Sequence, residues 1–105
     1  MLQLVYREGF DLDCCHETIE FLGKRWMVRI IHVLLDGPKR YHEIYSAIPG
    51  ISDKLLSQRL QELIDAHLVE KDYIEASLKK VSYSLTNKGY AFQKVICAFN
   101  DWQKL

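Results

Sequence analysis

The stretch YHEIYSAIPGISDKLLSQRLQELIDAH, residues 41–67, holds two helical patterns on either side of a break. In the first, roughly Tyr41 to Ala47, Ile44 and Ile48 are the buried positions, with Tyr41 or Tyr45 alongside. Pro49 and Gly50 then interrupt the chain. Ser52 is a good N-cap for the second helix, and Asp53 sits where the helix dipole favours an acid. Beyond it Leu56, Leu60 and Leu63 make an apolar stripe flanked by Leu55 and Ile64. At about 100° per residue, Lys54, Ser57, Gln58 and Gln61 gather on the opposite side. That face is polar without being acidic, and its side chains are types that reach base edges and phosphates.

The flanking sequence completes the pattern. Trp26, Met27, Ile30, Ile31, Leu34 and Leu35 recur at three and four, which predicts a helix from about Lys24 to Leu35. Gly37 suits its C-terminal cap, and Pro38 disfavours a helical Gly37. Ahead of Gly23 another helical pattern starts at Asp13, a candidate N-cap, with Ile19 and Leu22 three apart. Residues 1–12 read as an arm, either a short strand or a lead. After His67 the period changes to two: Val69, Lys71 and Tyr73, then Val81, Tyr83 and Leu85, predict a hairpin joined through IEASLK. Lys79 and Lys80 stand at its tip. Thr86 or Asn87 caps a final helix to about Trp102, whose aromatic surface exceeds what a terminal helix of a small domain buries by itself. The order is that of a winged helix-turn-helix: mainly α with a small β-hairpin, one domain over 13–105 with extra helices at both ends. Such an order places one helix in a DNA major groove.

Composition sets the bounds. A chain of 105 residues, 49% hydrophobic, makes one domain with a modest core. No run approaches the ~18 apolar residues of a membrane span. The start MLQLVYREGFDLD lacks the charged and apolar regions of a secretory signal, so a cytoplasmic location is expected. Net charge is zero, yet Lys24 to Leu60 holds seven basic residues against three acids, while Gln61 to Leu78 holds five acids and one lysine. A local basic patch, not the total, is what meets nucleic acid. Three cysteines, Cys14, Cys15 and Cys97, make no even disulfide framework.

The segments LGKRWMVRIIHVLLDGPKRYHEI, IPGISDKLLSQRLQELIDAHLVEK and KVSYSLTNKG resemble, in order and spacing, the HxlR-type, MarR-related winged-helix regulators of bacteria. The resemblance covers residues 13–104. It implies a transcriptional regulator, a homodimer that packs terminal helices together, and binding to an inverted repeat in double-stranded DNA. Carried over by position, Ser52, Lys54, Ser57, Gln58 and Arg59 belong to the DNA-reading helix, with Gln61 on the same polar face. Arg59 falls near the buried stripe. Arg40 would hold a phosphate, Lys79 and Lys80 would serve the wing, and Val95, Phe99 and Trp102 would lie in the dimer interface. The tip IEASLKK lacks the prolines usual in the family's wings. Several relatives sense oxidants or electrophiles through a cysteine ahead of the first helix; DCCHE places Cys14 and Cys15 close to that point, though no proline follows. A thiol at a helix N-terminus has its thiolate stabilised by the dipole, and a protonated His16 would add to this. Cys97, among apolar neighbours, reads as a packing residue.

Other chemistries find little support. Adjacent cysteines do not offer zinc-ligand spacing, and His32, His42 and His67 stand apart, so neither a metal nor another cofactor is expected. There is no Gly-rich phosphate loop, nucleophile elbow or Cys-x-x-Cys, and Cys15, His16 and Glu17 point to different faces of a helix, so no enzyme is expected. Three alternatives to a thiol-responsive repressor stay open: a winged-helix protein-interaction module without DNA binding, a thiol switch with DNA binding secondary, and a small-molecule-responsive regulator with no thiol role.

Overall fold

Apolar positions at helical spacing build the body, and a short run at period two adds a sheet along one edge. The structure, a computed structural model, describes residues 12–75 and 80–105. In chain order the elements are α1 (Leu12–Leu22), α2 (Met27–Leu34), β1 (Lys39–Arg40), α3 (Tyr41–Ala47) and α4 (Asp53–Asp65). They continue as β2 (Val69–Glu75), β3 (Lys80–Leu85), α5 (Asn87–Ala91) and α6 (Gln93–Gln103). This is a winged helix-turn-helix with helices added at both ends. No helix among the described residues is long and apolar enough to cross a membrane.

The core draws on every element of the body. Met27, Ile30, Ile31 and Leu34 of α2 meet Ile44 of α3 and Leu56, Leu60 and Leu63 of α4. Ile48 and Ile51 in the turn, Leu68, Val69 and Leu85 at the base of the hairpin, and Phe92 close the cluster. The strands run antiparallel in the order β1-β3-β2. Val69 faces Leu85, Lys71 faces Tyr83 and Tyr73 faces Val81, with a shift between Tyr73 and Glu75 just before the tip. The strand β1 has no period-two signal, since two residues carry none; it forms because Lys39 and Arg40 lie opposite Tyr83 and Ser82.

Several boundaries differ from expectation, each for a local reason. α1 begins at Leu12, so Asp13 lies inside the helix rather than capping it. α2 begins at Met27, three residues later than the periodicity suggests. Lys24 to Trp26 form a turn instead, with Met27 N–H donating to the Lys24 carbonyl at 3.1 Å and Trp26 in the left-handed region at φ 75°. The final helix is two: Thr86 caps α5 by accepting from Gly89 N–H at 3.1 Å, and α6 follows from Phe92. Gly89 is required there, because a Cβ would stand 2.3 Å from the Leu68 carbonyl oxygen. At the end of α4, His67 takes φ 60°, where glycine is usual. His67 N–H donates to Ile64 at 3.0 Å and Leu68 N–H to Leu63 at 2.9 Å, the paired bonds of a Schellman ending.

Candidate nucleic-acid interface

Ser52 starts α4 as its type predicts, its hydroxyl accepting from Leu55 N–H at 3.0 Å. The break before it depends on Gly50, whose φ of 95° would strain a side chain. With Leu56, Leu60 and Leu63 buried, the opposite side of α4 presents Lys54, Ser57, Gln58 and Gln61 to solvent. Gln61 donates from Nε2 to Asp65 at 2.9 Å. Among the described residues neither Lys54 nor Gln58 is bound to another side chain, so both are free to reach out.

Tyr41, which from sequence shared with Tyr45 the place alongside Ile44 and Ile48, holds the start of this helix. Its hydroxyl meets the Asp53 carboxylate, lies 3.0 Å from the Asp53 carbonyl and 3.1 Å from Ser57 Oγ. Burial, and then the bond to Asp53, push the phenol above its ordinary range, so it keeps its proton at neutral pH. Twelve and sixteen residues separate the partners along the chain. No local signal marks such a contact.

Arg59 is placed differently from the polar face of α4. Its side chain is only 12% exposed; Nη1 lies 2.6 Å from Glu62 and Nε donates to the Arg25 carbonyl at 2.9 Å. The Lys24 ammonium meets the other Glu62 oxygen at 2.6 Å. The hydrogen bond from Lys24, joined by that from Arg59 and opposed by burial, holds the Glu62 carboxyl below its usual range. Arg59 therefore ties α4 to the turn before α2. Its angle on the helix borders the leucine stripe, and an acid one turn on pairs with it.

Two further cations named from the sequence, Arg40 and Lys80, lie on the strands of the sheet. Arg40 is exposed, its backbone N–H donating to Glu43 at 2.8 Å, and it pairs across the sheet with Ser82. Lys80 opens β3 and is half-buried. Lys79 lies outside the described residues, as do residues 1–11 of the arm and the side chains of Cys14 and Cys15, while Leu12 belongs to α1. Lys39, by contrast, is occupied by Asp36 at 3.1 Å. Among the described residues no group of three or more His, Cys, Asp or Glu side chains comes together as a metal site.

Away from this face, α6 buries none of its residues. Val95, Phe99 and Trp102 are 40%, 58% and 73% exposed. Cys97 is exposed as well, so it is not packed inside the protomer as its neighbours suggested. Of its apolar neighbours, Ile96 leans against the core while Val95, Ala98 and Phe99 are exposed.

Comparison with known proteins agrees with this architecture. The HxlR-like helix-turn-helix family matches residues 21–105. The HTH-type transcriptional regulator YodB of Bacillus subtilis (strain 168) is 49% identical over 85 residues, 81% of this chain and 76% of that protein. The crystal structure of quinone-bound YodB from B. subtilis superposes with a TM-score of 0.77 at 43% identity, covering 86% of this chain and 93% of that one. The redox regulator HypR in its oxidised form superposes with a TM-score of 0.74 at 26% identity, covering 86% and 93%.

Proposed function

Because the chain belongs to the HxlR-like helix-turn-helix family, and is a transcriptional regulator rather than an enzyme, we propose that it represses transcription as a homodimer bound to an inverted-repeat operator. The observation that carries this reading is the exposed, non-acidic face of α4, Lys54, Ser57, Gln58 and Gln61, held out by a fully buried leucine stripe. Ser52 starts that helix, and its first turn enters the major groove of each half-site. Gln58 has the amide chemistry for adenine, and Lys54 takes a guanine or a phosphate. Arg40, Lys79 and Lys80 supply salt-dependent anchoring to the backbone. Val95, Phe99 and Trp102, four and three residues apart on one uncovered face of α6, supply the dimer contact. Repression follows when a bound dimer obstructs polymerase. The quinone-bound form of YodB supports an oxidant or electrophile as the signal, received here by Cys14 or Cys15 near the start of α1.

The test is a salt titration of binding to DNA from upstream of the protein's own gene, with and without a mild thiol oxidant. Selective binding should weaken as salt rises, and Lys54→Ala or Gln58→Ala should each cost roughly ten-fold in affinity. Oxidant should change the affinity of the native chain and leave the Cys14→Ser/Cys15→Ser variant unmoved. Selective binding indifferent to oxidant would discard the thiol role. No selective binding on any fragment would favour a protein-interaction module.

One observation favours a second signal. An apolar groove of about 430 Å3 runs between α1, the end of α4 and the α5–α6 junction, walled by Phe21, Leu22, Leu68 and Phe92. A small quinone that raises the melting temperature of the double serine variant would point to reversible binding there.

A further inference from the structure

A serine hydroxyl that is free to rotate contacts either class of base edge, because it can donate its proton or accept on its lone pairs. Ser57 is not free. The Tyr41 hydroxyl carries one proton and faces the Asp53 carboxylate and the Asp53 carbonyl, the latter at 3.0 Å. An ionised carboxylate and a carbonyl only accept, so the tyrosine proton is committed to Asp53. The remaining contact, Tyr41 to Ser57 at 3.1 Å, is then a hydrogen bond only when Ser57 donates. Its single proton spent, Ser57 keeps nothing but lone pairs for the surface it faces.

From this chain of protons we infer that Tyr41 is a positioning residue for specificity: through Ser57 it presents DNA with an obligate acceptor. The base opposite must then offer a donor on its major-groove edge, adenine N6 or cytosine N4, in preference to the acceptors guanine O6 and thymine O4. The inference rests on α4 being the reading helix. Its polarity depends on Asp53 lying beside Tyr41, which holds the proton in one direction. The raised pKa of Tyr41, set by burial and by Asp53, keeps the phenol protonated and the chain intact at neutral pH.

The experiment selects binding sites from a DNA library randomised at every operator position, using the native protein, Ser57→Ala and Tyr41→Phe. Melting temperature and salt dependence are measured for each. The native protein should prefer adenine or cytosine at one position in each half-site. Ser57→Ala should lose that preference, about three- to ten-fold. Tyr41→Phe fills the same space and should relax the same position, with guanine and thymine gaining, while other positions and the salt dependence hold. Tyr41→Phe that keeps the native preference would overturn the inference. So would an even loss of affinity at all positions, which is what a merely structural role predicts, or a native preference for guanine or thymine where Ser57→Ala acts. Absence of any selective binding by the native protein would overturn the DNA-reading function itself, and this inference with it.

Discussion

α4 and α6 are both amphipathic helices, of 13 and 11 residues, and they meet opposite fates. The leucine stripe of α4 disappears into the core, covered by α2, α3 and the base of the hairpin. The stripe of α6 stays in solvent, with no buried residue along its length. Connections explain the difference. α4 is bounded by the Pro49–Gly50 break and the Schellman ending at His67, which fold the neighbouring elements back onto its apolar side. α6 leaves the body through Phe92, whose backbone is right-handed helical, so no turn sends it back. The molecule is accordingly elongated, 55 by 26 by 22 Å. Amphipathicity shows that a face requires cover; the connection decides whether the same chain provides it.

The largest expected effect breaks the covered side. Leu56→Ala empties a site with no solvent exposure and should cost about 3 kcal/mol of stability in a urea titration. Trp102→Ala, 73% exposed, should change protomer stability by less than about 0.5 kcal/mol. It should weaken self-association by roughly thirty-fold in sedimentation, as removal of an interface anchor does. Equal effects of the two substitutions on protomer stability would erase the contrast between the helices.

Smaller effects sharpen the account of how α4 is held. Glu62 has a depressed folded pKa, so its contribution is present above the unfolded carboxyl value, about 4.3, and is lost as pH falls through the folded value. Glu62→Gln should therefore cost about 1 kcal/mol at pH 7 and flatten the melting temperature between neutral pH and pH 3. An unchanged acid limb would show that Lys24 and Arg59 do not anchor α4 through this carboxylate. Smallest, His67→Gly should stabilise the chain by roughly 0.5 kcal/mol, since the left-handed position costs a side chain more than the added freedom of glycine in the unfolded state. A lower melting temperature would mean the imidazole contributes a contact that offsets its strain.

The helices of the body were legible because their apolar residues repeat at three and four. The hairpin was legible because Val69, Lys71 and Tyr73 change the period to two. Ser52 and Thr86 announced their helix starts by residue type, and each accepts the expected backbone proton. What failed to show was decided by packing and by hydrogen-bond partners rather than by residue type. Trp26 adopts a left-handed conformation beside Gly50, with its ring 3.7 Å from where a Gly50 Cβ would stand, and α2 starts late as a result. Arg59 had the right residue type for a DNA contact, but Glu62 and the Arg25 carbonyl claim it. Cys97 had apolar neighbours in sequence, yet it lies exposed on a helix that buries none of its residues.

By itself, then, the sequence determined the order of the main helices and the hairpin, the caps at Ser52 and Thr86, and which face of each helix is apolar, because those depend on periodicity and on backbone preferences of single residues. Only the tertiary structure decided which polar side chains are occupied and which are free. Hydrogen-bond partners such as Tyr41, Asp53 and Ser57 are chosen by proximity across elements, and proximity is a property of the packed chain.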